Sequence, residues 1–298
     1  MKILLLGKNG QLGKELDRNL AQIGSLTSLA RLDVDITHFD VIKNYIQKME
    51  PDVIVNAAAY TNVDSAETEK AMAYKVNSHA VLNLAKICKE NDIWLIHYST
   101  DYVFDGKKTS PYTEIHETSP INTYGKSKLQ GEEAITQMGC KNLIFRTTWV
   151  IGKDGKNFAK TMLNLAKTRK SLSVIDDQIG VPTTPSLISK VTISAIKSIL
   201  QDKQWPVGIY NLTPKGSTTW YGIAKLTLSR AEEHGINLKI LPSDIKPIKS
   251  NQFKTVAERP KNSLLNTEKL SKQLNFELPE WSDALMKVLS DIIREKNE

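Results

Sequence analysis

Lys2-Ile3-Leu4-Leu5-Leu6-Gly7-Lys8-Asn9-Gly10-Gln11-Leu12-Gly13 decides the fold. The apolar run from Ile3 to Leu6 reads as a strand buried on both faces, and the GxxGxxG of Gly7, Gly10 and Gly13 then opens a helix predicted over 11–22. Gly7 and Gly10 permit a tight turn and a close approach of backbone to a pyrophosphate. Gly13 lets the helix lie on the sheet while its first amides face the phosphates. A glycine repeat alone is weak evidence; the strand, turn and helix around it make it a dinucleotide site, completed by Asn9, Gln11 and Leu12.

Outward from this unit, short apolar runs at 26–30, 53–56, 94–99 and 142–147 alternate with helical stretches at 39–48, 67–91 and 124–138. That alternation is the pattern of a parallel sheet covered by helices on both faces. Beyond residue 150 the pattern loosens into predicted helices at 157–167, 185–200, 220–234 and 281–294, and strands at 172–175 and 208–212. The expected architecture is α/β: a Rossmann-type doubly wound parallel sheet with a smaller C-terminal α/β substrate domain. The dinucleotide-binding domain is expected over 1–150, with about 185–204 returning to it, and the substrate domain over 151–298.

The 298 residues are 40% hydrophobic and 24% charged, the composition of an ordinary globular chain. No early apolar run reaches the roughly 7–15 residues of a signal peptide or the roughly 20 of a membrane span, so no membrane partner is expected. Two cysteines, Cys88 and Cys140, without a CxxC or clustered histidines offer no material for a disulfide framework or a zinc site. A reducing cytoplasm is the expected compartment. Lys and Arg outnumber Asp and Glu by 40 − 33 = 7. Lys246, Lys249, Lys254, Arg259 and Lys261 gather in irregular chain without aromatic or glycine-rich interleaving, which suits a solvated face or a phosphate contact better than nucleic acid.

At the end of the second strand, an acidic side chain normally binds the ribose 2′-hydroxyl and repels a 2′-phosphate. Ala30-Arg31 stands there, so NADPH is expected to be accepted at least as well as NADH. Asp35 and Ile36 are placed to hold the adenine edge, and Ala57, Ala58, Ala59 and Tyr60, after the third strand, to let backbone lie against the cofactor.

Tyr124-Gly125-Lys126-Ser127-Lys128 is a YxxxK at the start of a predicted helix. At i and i+4 its tyrosine and lysine share a helical face, where a neighbouring cation would favour phenolate and bring a pKa of about 10 towards neutrality. The pattern gains weight from Ser99-Thr100, at the end of the fourth strand, where a hydroxyl projects over the carboxyl edge of the sheet.

Together these features resemble the extended short-chain dehydrogenase/reductases. The phrases NAAAYTNVDSAE (56–67), HYSTDYVFDG (97–106), PINTYGKSKLQGE (120–132), FRTTWVIG (145–152), NFAKTML (157–163), DDQIGVPT (176–183) and ERPKNSLLNT (258–267) are similar to the dTDP-4-dehydrorhamnose reductase family along nearly the whole chain. The resemblance implies hydride delivery from NAD(P)H to the C4 ketone of dTDP-4-dehydro-L-rhamnose, giving dTDP-L-rhamnose for cell-surface polysaccharide. It makes Tyr124 the proton donor and Thr100 a hydrogen-bond partner of the sugar oxygen. Lys128 orients the ribose and tunes the tyrosine, with Ser99 beside the cofactor. Asp101, Trp149, Gln178 and Arg259 become contacts to the nucleotide-sugar, Arg259 suiting a diphosphate through its planar fork. Asn77 is expected to be a buried polar support of the lysine. Some family members associate with a divalent cation or form homodimers; Glu15 establishes neither, and no metal is implied by chemistry in which hydroxyls already serve the oxyanion.

Two other readings share the scaffold: an epimerase or dehydratase that re-reduces its own cofactor, and a non-catalytic subunit like the regulatory beta subunit of methionine adenosyltransferase. Ser99-Thr100-Asp101 without an added acid/base pair speaks against dehydration. The intact set of glycine loop, Thr100, Tyr124 and Lys128 speaks against a purely structural role.

Overall fold

The computed structural model describes residues 1–200 and 205–295; residues 201–204 of the expected return, and 296–298, lie outside them. The first part runs β1 (Lys2–Leu6), α1 (Gln11–Leu20), β2 (Ser25–Leu29), α2 (Phe39–Met49), β3 (Val53–Asn56), α3 (Val63–Ala66), α4 (Lys70–Tyr74), a π turn (Lys75–His79), α5 (Ala80–Glu90), β4 (Trp94–Thr100), α6 (Thr123–Met138) and β5 (Asn142–Thr147). The rest comprises α7 (Phe158–Thr168), β6 (Ser173–Ile175), β7 (Ile179–Gly180), α8 (Pro185–Leu200), β8 (Gly208–Asn211), β9 (Thr218–Thr219), α9 (Trp220–Glu233), β10 (Lys246–Ile248), α10 (Glu268–Ser271) and α11 (Trp281–Arg294).

Six strands pair in parallel in the order β2-β1-β3-β4-β5-β8. Alternation along β1 shows why the sheet is covered twice. Ile3 and Leu5 pack with Leu16 and Leu20 of α1 and Ile188 and Val191 of α8, whereas Leu4 and Leu6 pack with Ile42, Ile46, Val81 and Leu84 on the other face. Asn19 of α1 donates to the Ser189 hydroxyl of α8 at 3.1 Å, a polar clasp on an otherwise apolar helix pair. The strand predicted at 208–212 differs from its expected place in the smaller unit: β8 extends the main sheet beside β5, with Phe145 opposite Tyr210.

A second core, with Leu163, Val174, Leu228 and Ile292, holds α7, α9 and α11 to the short parallel pair β6 and β10. Gly7 has φ 86, and a Cβ there would come within 2.6 Å of the Ala58 nitrogen; a Cβ on Gly13 would come within 2.0 Å of the Gly7 carbonyl oxygen. Both glycines are therefore required by the close passage of the first turn between β3 and α1. Among the described residues no helix is long and apolar enough to cross a membrane, and no cluster of His, Cys, Asp and Glu is built to hold a metal ion.

Candidate active site

Strand order reverses beside β1, so the carboxyl ends of β1, β2 and β3 open a crevice there. It is a groove of about 390 Å3 lined by Gly7, Asn9 and Gly10 from the first turn, by Arg31, Asp35 and Ile36 after β2, and by Ala57, Ala58, Ala59 and Tyr60 after β3. These residues fit a dinucleotide. The nearest heavy atom to a Cβ on Gly10 would be 3.5 Å away, so this glycine leaves the mouth open, and α1 begins directly at it with its free amides. The other expected cofactor residues lie outside the groove. Gln11 accepts from the Gly152 amide at 3.2 Å and the Asn157 side chain at 3.1 Å, tying α1 to the loop after β5. Leu12 packs into the core, Gly13 supports Gly7, and the buried Ser99 hydroxyl has no hydrogen-bond partner among the described residues.

A carboxylate does stand at the end of β2, contrary to the reading of Ala30-Arg31. Asp33 accepts the Ala30 amide at 2.8 Å and the Lys8 ammonium at 2.9 Å, and these bonds hold its carboxyl below the usual range. Arg31 itself is exposed and pairs with Asp35 at 3.2 Å. The rim thus carries two cations and two carboxylates. A chain that turns back on itself brings Asp33 to a strand end three positions away, which inspection of that position alone does not reveal.

Thr100 ends β4, its hydroxyl donating to Asp101 Oδ1 at 3.0 Å and accepting the Tyr102 amide at 3.2 Å. Tyr124 lies in the first turn of α6, half-buried, with its ring edge-on to Tyr102 at 5.8 Å. The start of this helix is over-determined. Asn122 caps the Gly125 amide at 2.8 Å, and Glu67, arriving from the α3 side, accepts both the amide and the hydroxyl of Thr123 at 2.8 Å.

Burial, and then the Asp101 charge, push the Tyr124 pKa up, against a smaller downward pull from Thr100. This differs from the expectation that Lys128 brings it down. The Lys128 side chain turns beneath the strand instead, donating to the Tyr98 carbonyl at 2.6 Å and lying 3.1 Å from His97 Nε2; burial lowers its pKa to about 8 against the opposing Glu132 charge. Asp101, 3% exposed, is pushed up to about 7 by burial, with the hydrogen bond from Thr100 among the opposing influences. Asn77 bonds the Tyr60 amide at 2.8 Å, the Tyr60 carbonyl at 2.9 Å and the Ser127 hydroxyl at 3.0 Å, so it joins the π turn to the loop after β3 and to α6 and has no bond to Lys128 itself.

On the far side a cleft of about 820 Å3 is lined by Gln178 and Arg259, with Lys107, Lys108 and Lys261 among its charges. Gln178 is buried and accepts the Trp220 indole N–H at 3.1 Å. Arg259 is forked onto Asp64 of α3, at 3.2 and 2.7 Å, so a carboxylate takes the fork expected to meet a diphosphate. Trp149 lines neither cavity. With φ 41 it sits in the left-handed region, its ring stacked on Trp220 at 4.0 Å and pressed on Gly180, where a Cβ would come within 2.6 Å of it. Glu15 is taken by Arg18 at 2.6 Å and by Asn19 at 3.0 Å.

Comparison with known proteins agrees with this geometry. The family model described as the RmlD substrate binding domain matches residues 1–294. A dTDP-4-dehydrorhamnose reductase of Salmonella typhimurium is 43% identical, over 98% of this chain and 98% of that one, and its Escherichia coli K12 counterpart is 42% identical over the same shares. Among solved structures, the dTDP-4-dehydrorhamnose reductase of Bacillus anthracis in complex with NADP superposes with a TM-score of 0.88 at 33% identity, covering 97% of this chain and 99% of that one.

Proposed function

Because the chain belongs to the dTDP-4-dehydrorhamnose reductase family, we propose that Tyr124, Thr100 and Lys128 are the residues through which it acts, between a cofactor groove and a nucleotide-sugar cleft. The reaction is the NAD(P)H-dependent reduction of the C4 ketone of dTDP-4-dehydro-L-rhamnose to dTDP-L-rhamnose, the closing step of dTDP-rhamnose synthesis. The observation that carries the assignment of roles is the placement of Thr100 at the carboxyl end of β4 with Tyr124, in the first turn of α6, packed edge-on against Tyr102, whose amide the Thr100 hydroxyl accepts.

The chemistry that bound NAD(P)H supplies is hydride donation to the C4 carbon. The glycine turn and the Ala57–Ala59 backbone would hold its phosphates and ribose, and Arg31, Asp35 and Ile36 would meet the adenosine end. As negative charge grows on the C4 oxygen, Tyr124 delivers its proton there and Thr100 turns its O–H from Asp101 to donate to that oxygen. A phenol whose pKa is pushed up stays protonated at neutral pH, which suits a donor. Gln178 and the lysines of the cleft take the nucleotide end, with Arg259 joining them once it exchanges Asp64 for a diphosphate. In this reading residues 1–150 with the returning α8 and β8 form the cofactor domain, and the unit built on α7, β6, α9, β10 and α11 the substrate domain.

The test is loss of reduced-nicotinamide absorbance when the protein is mixed with NADPH, then NADH, and dTDP-4-dehydro-L-rhamnose generated in situ. Stoichiometric formation of dTDP-L-rhamnose is expected; binding of NADPH without turnover would overturn the assignment.

A further inference from the structure

Of the six phenylalanines, Phe39, Phe104, Phe145, Phe158 and Phe276 each belong to a hydrophobic core or pack against one. Phe253 does not. It is 54% exposed, and among the described residues its ring meets no core, no second ring and no cation. It lines the cleft of about 820 Å3 that also holds Gln178 and Arg259, and Ile179, 44% exposed, opens a second large apolar side chain to the same space. Apolar surface left in water inside a concave site marks a place for a ligand, since it contributes nothing to the folded state as it stands.

The chain that carries this ring is anchored on both sides. After β10, the amide and hydroxyl of Ser250 donate to the two carboxylate oxygens of Asp177 at 2.7 and 3.0 Å, and the Phe253 amide donates to the Ser250 carbonyl at 3.1 Å. Beyond the ring, the Ala257 amide donates to Asp64 of α3 at 3.0 Å. The ordering that a ligand would otherwise have to impose is therefore already made by the fold. The charges around the ring have a sign. Lys107, Lys108, Arg259 and Lys261 line the cleft; of its carboxylates, Asp177 is taken by Ser250 and Asp105 by the Tyr112 hydroxyl at 2.8 Å, which leaves Glu258. An inorganic anion has no use for the open aromatic face, and an apolar peptide has none for the cations. A nucleoside diphosphate uses both, because it carries a flat aromatic base at one end and two phosphates beside it.

We propose that Phe253 is the surface on which the base of the nucleotide-sugar stacks, with Ile179 as a second apolar contact and the cations of the cleft meeting the diphosphate. That the base is thymine rests on the reductase reading above; the stacking does not, because every base presents a π face. Phe253 thereby separates a nucleotide-linked sugar from a sugar phosphate, since it holds the part that only the nucleotide carries. The base takes no part in the reduction and is held equally before and during it. Its contact with Phe253 accordingly sets KM and leaves kcat alone.

The test is titration calorimetry of the full-length protein with dTDP and, separately, with inorganic pyrophosphate, on the wild type, Phe253→Ala and Phe253→Trp. The wild type is expected to bind dTDP more tightly than pyrophosphate. Phe253→Ala should bind dTDP about tenfold more weakly with its affinity for pyrophosphate unchanged, and Phe253→Trp should restore dTDP binding to within about threefold of the wild type. In turnover of the keto-sugar, KM of Phe253→Ala should rise by the same factor of about ten while kcat stays within about twofold. Equal affinity of the wild type and Phe253→Ala for dTDP would overturn the proposal. So would an equal loss for dTDP and pyrophosphate, or a wild type that binds dTDP no better than pyrophosphate. Phe253→Ser, which also lacks the ring, is read by the same criteria should Phe253→Ala fail to fold. A wild type that binds dTDP more tightly than Phe253→Ala but does not turn over the keto-sugar would count against the reductase reading and leave the stacking surface standing.

Discussion

Asp101→Asn tests how burial governs the active site, because one carboxyl is asked to sit almost out of water beside the reacting hydroxyls. Asp101 is 3% exposed; Oδ1 accepts from Thr100 at 3.0 Å and Oδ2 has no hydrogen-bond partner among the described residues. Burial raises its pKa from 3.8 to about 7. Between those values the unfolded chain has lost the proton and the native protein keeps it. The native state therefore binds more protons, and stability falls as pH rises through the window. At about 1.4 kcal/mol for each pH unit, the full loss is about 4 kcal/mol, complete above pH about 7. Asparagine is nearly isosteric and still accepts from Thr100, but has no proton to lose. Urea unfolding of the two proteins at fixed ionic strength isolates the effect, since all other titrations cancel in their difference. From pH about 4.5 to about 8 that difference should shift by about 3 kcal/mol in favour of the variant, then stay level. Parallel stability curves across this range would show that Asp101 titrates like an exposed carboxyl, and would refute the argument that burial dominates here.

Tyr124→Phe keeps the ring packed on Tyr102 and removes the proton, so kcat/KM should fall by about 10²–10⁴ while NADPH binding, followed by quenching of protein fluorescence, stays within about twofold. Glu132→Gln leaves Arg146, whose side chain is 3% exposed, without its carboxylate, and chemical denaturation should register a loss of about 3–5 kcal/mol. Asp33→Asn retains the hydrogen bond to Ala30 but discharges the rim and frees Lys8; the ratio of kcat/KM for NADPH over NADH should rise by about fivefold, whereas an unchanged ratio would remove Asp33 from cofactor choice.

The features that the sequence disclosed share a property: their causes are local. The apolar run of β1, the glycines that the first turn needs and the YxxxK at the start of α6 are each dictated by residues within a few positions, so pattern and spacing carry them. The expected helix at 67–91 is met by the unbroken run of α4, π turn and α5, and what the pattern did not show is the π turn itself, whose cause is distant. The periodicity is helical throughout, but Asn77 is drawn into bonds with Tyr60 and, 50 residues away, Ser127, and the backbone there widens into a π turn. The same reason separates Thr100 and Tyr124, found by motif, from Asp33, His97 and Glu67, whose roles exist only once a strand end, a neighbouring strand or a distant helix is brought against them.

Arg259 shows what this means for reading a site. Its residue type suits a diphosphate, and its position lines the cleft, yet its fork is closed on Asp64, 195 residues earlier, which it holds below the usual carboxylate range. Residue type fixes the geometry that Arg259 can recognise, while the fold determines which anion competes for it. A phosphate oxygen that reaches Arg259 must displace a bidentate carboxylate already in place, so the guanidinium contributes to binding only the difference between two charge-assisted pairs. The Asp64 carboxylate is 41% exposed and can be rehydrated once released, which keeps that exchange inexpensive. The same exchange frees α3, and with it the Ala257 amide that Asp64 accepts at 3.0 Å, so occupation of the cleft by a diphosphate is coupled through one aspartate to the segment that carries Arg259.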